Sequence, residues 1–283
     1  MPPRTTPTQR QRRLGAEIKK MRTEAGLTAE YVAGLLGVDR GKISNIEAGT
    51  RNISSDRLRT LATHCACPDE RYLSALVELT EPPQSHWWDE YRGRLSSGLL
   101  DIVELEWHAT RILTIQTVHV PGLLQTEEYA RSVFAAVLPA LSRLDIELRV
   151  AHRMERQRVL AREQPVDYVG YVHEAALRML FGGREATREQ LKTLIEASEQ
   201  DNVLLRVVPV DRGSFPGAGH ALLYAEGPVP QLDTVQLDSA HGPEFMHAEL
   251  QLSKYRAHLS WMDEASLSPD ASRDFVHSIV RSL

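Results

Sequence analysis

The sequence predicts an all-α N-terminal domain of five short helices, followed by a larger domain of the α/β or α+β class. Three observations carry this prediction. Between residues 9 and 79, apolar residues recur at helical spacing and turn residues interrupt them at short intervals. A Pro-containing break follows at residues 80–86. Beyond the break, helical stretches are interspersed with short runs rich in Val, Leu and Tyr, which are typical of strands.

The five N-terminal helices are delimited by capping residues and glycines. Ser, Thr and Asp satisfy the free amides at a helix start, and glycine tolerates the positive φ that often ends one. The first helix spans residues 9–25, behind an arm at residues 1–8 that we expect to be disordered. The later helices lie between Thr28 and Gly37, between Asp39 and Gly49, from Ser55 or Asp56, and from Asp69 to residue 79.

The remainder, residues 87–283, is predicted to be one regulatory domain joined to the first by a linker at residues 80–86. Its pattern indicates which elements are present, but not the order of the strands in a sheet. Helices are expected at residues 98–108, 126–138, 142–162, 174–181, 187–200, 243–263 and 269–282. Strands are expected at residues 111–119, 166–172, 203–210, 219–226 and 234–239.

Charge is distributed unevenly along the chain, although the whole carries a net charge of only −5. The first 75 residues hold 13 basic and 8 acidic residues, whereas the remainder is acidic. A basic first quarter on an acidic remainder is expected when one domain meets phosphates.

The composition also excludes several classes of protein. No apolar run is long enough to cross a bilayer, and the first residues lack the apolar segment of a secretory signal. The two cysteines, Cys65 and Cys67, are too close in sequence for a good disulfide. We therefore expect a reduced cytoplasmic protein, associated with the nucleoid, that has no membrane partner.

Residues 27–49, LTAEYVAGLLGVDRGKISNIEAG, predict two short helices joined by a tight turn at Gly37. The segment resembles the XRE family of helix-turn-helix proteins, which is related to phage repressors, and residues 43–51 are its most family-like part. The resemblance implies a transcriptional regulator that binds double-stranded DNA. Residues 39–48 would then be the recognition helix, lying in the major groove.

By family position, four residues of this helix read the bases. Arg40 has two donors for guanine O6 and N7, and Asn45 matches adenine N6 and N7. Gly41 offers no side chain, so two readings stay open: base recognition is thin, or it depends in part on the shape of the DNA. The predicted base-reading residues are Arg40, Gly41, Ser44 and Asn45.

A second group of residues is predicted to contact phosphates. Lys42 and Arg51 lie beside the recognition helix, and the amides of Thr28 and Ala29 open the preceding helix, where an anion is favoured. A basic arm of Arg10, Arg12 and Arg13 would add backbone contacts. For each of these arginines alone, a solvated surface charge is the alternative. Glu47 is expected to be structural, holding nearby backbone or a basic residue.

The C-terminal region carries a second resemblance, spanning residues 86–282. The string VPGLLQTEEYAR at 120–131 is specific, and RMERQR at 153–158 and HEAALR at 173–178 follow in the same order. These motifs resemble an actinobacterial domain of unknown function that typically follows an XRE helix-turn-helix. Its members resemble regulators of development and antibiotic production in Streptomyces-like bacteria. They are often encoded beside a small partner protein, so the resemblance implies such a partner.

The residues of the VPGLLQT string have a simpler physical content. Pro121 and Gly122 form a turn, and Leu123 and Leu124 are expected to be buried. Thr126 N-caps the next helix. A structural role is one interpretation, and a ligand pocket lined by this loop is the other.

Catalytic and metal-binding motifs are absent from the sequence: there is no HExxH, GxSxG, P-loop or GxGxxG. We therefore expect no enzyme activity, no cofactor and no metal. The exceptions to be tested are four scattered histidines, His173, His220, His241 and His247. Glu244 and His247 lie three residues apart and would share a face of the predicted helix at 243–263.

Three hypotheses remain open on these residues. In the first, a homodimeric repressor or activator binds DNA, and its C-terminal domain dimerises and senses an effector, such as a small molecule, or a partner. In the second, the chain is the DNA-bound half of an antitoxin-like switch that a small neighbour-encoded protein controls. In the third, it is a DNA-tethered enzyme or metal-binding protein.

Overall fold

The computed structural model describes residues 6–81, 85–216 and 219–283. The chain divides into two compact units, one ending at Glu90 and the other beginning at Tyr91. Most of the predicted arm, residues 1–5, and residues 82–84 of the predicted linker lie outside the described residues. Among the described residues, no helix has the length and apolar character needed to cross a membrane.

The N-terminal unit contains the five predicted helices, with starts that follow from the capping residues. Thr28 Oγ1 accepts a hydrogen bond from the Tyr31 amide (3.1 Å), and Asp39 Oδ1 accepts one from the Lys42 amide (2.8 Å). Ser54 caps the fourth helix, which begins at Ser55. The helices are α1 (Gln9–Glu24), α2 (Ala29–Leu35), α3 (Arg40–Glu47), α4 (Ser55–His64) and α5 (Glu70–Thr80).

Two glycines allow α1 to approach the C-terminal end of α3 closely. A β-carbon on Gly15 would lie 2.5 Å from the carbonyl oxygen of Glu47, and one on Gly49 would lie 2.7 Å from that of Gln11. Both contacts are too short for any other residue. Ile43 and Ile46 on the inner side of α3 are buried. Helix α3 is therefore fixed from behind by α1, with its other side free of these contacts.

The C-terminal unit is an α/β domain built on a six-stranded mixed sheet. Of the two predicted classes, α/β and α+β, the first is therefore the one observed. The strands lie in the order β3-β2-β1-β4-β5-β6. The first three are parallel, and β4, β5 and β6 are antiparallel to their neighbours. The strands are β1 (Arg111–Gln116), β2 (Asp167–His173), β3 (Val203–Val208), β4 (Leu222–Glu226), β5 (Thr234–Ser239) and β6 (Gly242–Met246). The helices are α6 (Ser97–His108), α7 (Glu127–Ala135), α8 (Arg143–Arg156), α9 (Glu174–Arg178), α10 (Gly183–Ala197), α11 (Glu249–Ala265) and α12 (Pro269–Ser282).

Both faces of the sheet are covered, because successive strand residues point to opposite sides. On one face, Ile112 and Val172 pack with residues of α10 and α12, such as Leu194 and Val276. On the other face, Leu113, Ile115 and Tyr224 pack with residues of α11. The result is three layers, with helices on either side of a central sheet.

The helix predicted at residues 243–263 is wrong over its first part. Residues 242–246 form β6, which pairs with β5 from Val235↔Met246 to Ser239↔Gly242, and the helix begins only at Glu249. The Ser239 side chain stabilises the two-residue turn by donating to the Gly242 carbonyl (2.8 Å) and accepting from the His241 amide (3.3 Å). Pairing with a neighbouring strand thus overrides the local helical pattern.

Candidate nucleic-acid interface

The four residues predicted to read bases lie together on the outer face of α3. Arg40, Gly41, Ser44 and Asn45 are all exposed, while Ile43 and Ile46 are 2% and 6% exposed on the opposite face. At 3.6 residues per turn, positions 40, 41, 44 and 45 occupy one side of a helix. The exposed side is polar and carries one cation.

The N-terminus of this helix is held by Asp39. Besides capping the Lys42 amide, its carboxylate lies 3.5 Å from Lys42 Nζ. The hydrogen bond from the Lys42 amide lowers the pKa of Asp39 and so favours the ionised form of the cap. Lys42, predicted to contact phosphate, is partly exposed and reaches solvent beside this cap.

At the other end of α3, Glu47 has the structural role expected of it. Arg22 of α1 donates to both carboxylate oxygens, Nε to Oε1 at 2.5 Å and Nη2 to Oε2 at 3.1 Å. The same guanidinium donates from Nη1 to the carbonyl oxygen of Leu27, just before α2 (2.7 Å). The hydrogen bond with Glu47 also raises the pKa of Arg22. One arginine therefore ties α1, the start of α2 and the end of α3 together.

The predicted phosphate contacts around α2 and α3 occupy exposed or partly exposed positions. Arg51 is exposed beyond the end of α3. Thr28 is exposed and Ala29 partly so at the start of α2, where the first amides have no partner within the helix. Glu30 is exposed in the same turn and places a negative charge there.

The three arginines of the predicted basic arm, Arg10, Arg12 and Arg13, differ in exposure and in their partners. Arg10 donates to the carbonyl oxygen of Glu78 (3.0 Å) and Arg12 to that of Pro7 (2.6 Å), and both are partly exposed. Arg13 is only 5% exposed and forms an ion pair with Glu17 at 3.2 Å. Glu17 in turn accepts a hydrogen bond from the Tyr72 hydroxyl (2.6 Å). A buried guanidinium does not offer its donors to a phosphate, so Arg13 belongs to the core of the unit.

In the C-terminal unit, buried glutamines clamp the backbone of the predicted turn at residues 120–126. The Gln125 side chain donates to the Val120 carbonyl (2.9 Å). The Gln190 side chain accepts from the Thr126 amide and donates to the Leu124 carbonyl, both at 2.7 Å. Thr126 also caps α7, as predicted. These contacts fix the loop in one conformation.

The histidines singled out in the sequence do not assemble into a site. His173 Nδ1 accepts the Ala175 amide (3.2 Å) and so caps α9. Glu244 lies in β6 and His247 beyond its end, so they share no helix face. Within residues 6–81, 85–216 and 219–283, no group of three or more His, Cys, Asp or Glu residues is arranged to hold a metal.

Comparison with known protein families identifies both units. Residues 13–73 match the family described as "Helix-turn-helix domain". Residues 99–278, more than half of the chain, match "Domain of unknown function (DUF5753)". The chain belongs to the DUF5753 family. No curated protein and no solved structure matches it. This DUF5753 protein thus joins a helix-turn-helix domain, a kind of domain that binds DNA, to a C-terminal α/β domain.

Sequence reasoning missed three contributors to the geometry of this DUF5753 protein. Arg22, the partner of Glu47, lies 25 residues away in the chain. Gly15 was not distinguished from other helical residues, although its close contact with α3 excludes a side chain. Arg153 was noted only as part of a motif. The sequence signal that would have found it is a pair of arginines three residues apart, Arg153 and Arg156, on one face of α8.

Proposed function

We propose that this protein is a sequence-specific transcriptional regulator of the XRE type, with α3 lying in the major groove of double-stranded DNA. One observation carries the proposal: the outer face of α3 is polar and exposed, and α3 itself is held in place at both of its ends. Asp39 fixes the start, and the Arg22–Glu47 pair fixes the end. A helix that is rigid and exposes short polar side chains is what base recognition requires.

The roles proposed for individual residues follow from their chemistry. Arg40 donates two hydrogen bonds to a guanine, and Asn45 pairs with an adenine. Ser44 adds a shorter contact, and Gly41 allows the backbone of α3 to come close to the groove. Because one of four positions lacks a side chain, part of the specificity comes from the shape of the DNA.

Phosphate contacts then fix the orientation of the domain on the duplex. We assign them to Lys42 and Arg51, to the amides of Thr28 and Ala29, and to Arg10 and Arg12. Arg13 is left out because it is buried against Glu17.

The C-terminal unit has two further roles in the proposal: it joins two copies into a homodimer, and it receives a signal. A dimer would place its two recognition helices about 34 Å apart, or a multiple of that, on one side of the DNA. The signal is a small-molecule effector, which the cavity described below supports. We propose a regulator without enzymatic activity that acts on the nucleoid in the cytoplasm.

Selection of binding sequences from random DNA, followed by gel shifts, tests the proposal. We expect one enriched motif, which is a palindrome if the protein binds as a dimer, and an affinity that falls steeply with salt as counterions are released. The double variant R40A/N45A should lose the preference for the motif while retaining non-specific binding. R59A, which removes an exposed arginine of α4, is the matched control. Equal affinity for the motif and for random DNA at moderate salt would contradict the proposal.

The two-protein switch implied by the sequence resemblance is tested separately. Co-expression with the product of the adjacent gene, followed by purification, distinguishes it from direct sensing of a small molecule. A stable complex that changes the gel shift would favour the switch, whereas purification of the regulator alone would favour the effector.

A further inference from the structure

A cavity of about 180 Å³ lies inside the C-terminal unit, beside the glutamine-clamped loop at residues 120–126. Its walls come from α6, this loop, α7, α8 and strands β1, β2, β4 and β5. Apolar side chains such as Leu99, Ile102 and Leu123 form part of the lining. A few polar groups converge on the same space, which is the usual make-up of a ligand pocket.

The most unusual group in the cavity is the guanidinium of Arg153. Nη1 donates to Gln125 Oε1 at 2.6 Å, and the cation stacks over the ring of Phe134 with its central carbon 4.6 Å from the ring centre. Its Nε is buried and has no hydrogen-bond partner among the described residues. No carboxylate of the described residues lies within ion-pairing distance of it. Arg153 is partly exposed as a residue, but its Nε is removed from water, and charged groups in such positions are normally paired. Arg153 lacks a carboxylate partner of this kind.

Arg156, one turn further along α8, shows the normal arrangement. It donates to both carboxylate oxygens of Glu106, Nε to Oε2 at 2.9 Å and Nη2 to Oε1 at 2.5 Å, and both residues are buried. Both oxygens of Glu106 are therefore engaged by Arg156, and Glu106 forms no ion pair with Arg153, although its charge and that of Asp238 favour the cationic form of Arg153. Burial, and then the charge of Arg156, lower the pKa of Arg153 to about 9, which still leaves it positive at pH 7.

The other titratable groups of the cavity do not supply the missing partner. Asp238 is exposed at the rim, where it accepts a hydrogen bond from Gln236 (2.8 Å). Burial, followed by the charge of Arg153, lowers the pKa of His119, which favours the neutral imidazole. The hydroxyls of Thr114 and Tyr168 satisfy each other at 2.6 Å.

The loop at residues 120–126 leaves space for the Arg153 side chain, and hydrogen bonds hold its backbone in place. A β-carbon on Gly122 would lie 3.3 Å from Arg153 Nη1, closer than most side chains tolerate. Gln157 donates to the Gln125 carbonyl (2.6 Å), which adds to the contacts made by Gln190. The guanidinium therefore sits in a preformed site rather than on a flexible surface.

We propose that this cavity is a binding site for a small organic acid, whose carboxylate pairs with Arg153 while its apolar part packs on Leu99 and Leu123. An enclosed space of about 150 Å³ holds a benzene molecule, so the site takes a compact aromatic or aliphatic acid. A guanidinium matches a carboxylate through two parallel hydrogen bonds. The role of this acid as the effector of the regulator rests on the proposed function. Its binding to the cavity is independent of that function.

Benzoate and benzamide are matched probes of this site, because they have the same shape and only benzoate is charged. We expect calorimetric titration of the full chain, without DNA, to show benzoate binding at least about tenfold tighter than benzamide. In R153Q this preference should disappear, and in R153K, which keeps the charge but not the planar fork, it should be reduced. R158Q, which removes an exposed arginine just beyond α8 that pairs with Glu155, should bind as the wild type does.

Several results would overturn the proposal. They are equal binding of the two probes by the wild type, no benzoate binding at millimolar concentration, or undiminished benzoate binding by R153Q. The wild-type comparison requires no variant, so it decides the matter even if R153Q fails to fold. Because DNA is absent, the binding result is independent of whether α3 recognises an operator, which the gel shifts measure separately.

Discussion

The two units of this protein place their arginines in opposite environments. On the helix-turn-helix unit, Arg40 and Arg51 are exposed, at the start of α3 and beyond its end, and the polar face of α3 is open. In the DUF5753 unit, Arg153 and Arg156 point inward from α8, and Glu106 compensates only the second of them. The first unit presents its positive charge to the outside, and the second encloses it.

This difference indicates two kinds of anion. Exposed cations suit a polyanion such as DNA, because binding gains from the release of condensed counterions and falls with salt. Salt screens an enclosed cation only weakly. Because the cation has lost its hydration, it is stabilised only by a counter-ion that fits the enclosed space. The same residue type thus serves a long charged surface in one unit and, as we propose, a single carboxylate in the other.

The largest expected effect comes from removing the partner of the enclosed, paired arginine. E106Q leaves Arg156 buried without its counter-charge, and we expect a loss of about 3–5 kcal/mol in the free energy of unfolding. Urea unfolding of the full chain measures it. E127Q is the control, since Glu127 is exposed and Arg131 keeps two other carboxylates; its effect should stay within about 0.5 kcal/mol. Similar urea midpoints for E106Q and E127Q would mean that burial of the Arg156–Glu106 pair contributes little to stability.

An intermediate effect is expected at the Arg22–Glu47 pair, which joins α1 to the end of α3. The Arg22 and Glu47 side chains are 12% and 10% exposed, between the two extremes. We expect E47A to cost about 2–3 kcal/mol in unfolding free energy, because hydrogen bonds to charged groups are lost where water enters poorly. E70A breaks the exposed pair with Arg59 and should cost less than about 1 kcal/mol. Equal losses would contradict the idea that burial determines the strength of these pairs.

Exposed cations should affect DNA binding and leave stability nearly unchanged. We expect R40A to weaken binding to the selected motif about tenfold and to relax the preference at one base pair. K42A should weaken binding to all sequences and reduce the salt dependence. Gel shifts on the motif and on single-base variants, repeated at several salt concentrations, separate the two patterns. If both variants lost affinity equally for every sequence, the separate roles would be wrong.

The helix-turn-helix unit was predictable because its boundaries are set by local chemistry. Thr28, Asp39 and Asp69 each cap a helix through a bond to an amide only three residues away. The exposure of positions 40, 41, 44 and 45 follows from the same local periodicity. Arg13 was not predictable in this way, because its burial depends on Glu17 and on Tyr72, which lies 55 residues beyond Glu17.

The DUF5753 unit shows the limit of local reasoning. Most of its helices and strands were found, but their order in the sheet depends on pairings between distant segments, such as Leu113 with Tyr224. The strand at 234–239 is predicted from the sequence, but its pairing with residues 242–246 is not, and without that pairing the local pattern of this segment favours a helix. The isolation of Arg153 was equally hidden, because it arises only once Arg156 has taken Glu106.

The smallest effect is expected from D39N, which tests the exposed charges at the start of α3. Asn keeps the side-chain oxygen that caps α3, so the helix should remain intact, while a negative charge beside the phosphates is lost and Lys42 is released. We expect a modest gain in affinity for all DNA sequences, a steeper salt dependence and unchanged specificity.

A pH titration of the same variant separates capping from charge. The pKa of Asp39 is lowered in the folded protein, mainly by the Lys42 amide, so its contribution to stability is present above the unfolded pKa and lost as pH falls through the folded one. D39N should lack that acid-dependent loss, and D56N, which removes an exposed acid of α4, should keep it. If D39N bound DNA more weakly or with unchanged salt dependence, the start of α3 would not lie against the phosphates, and the assignment of Lys42 would fail with it.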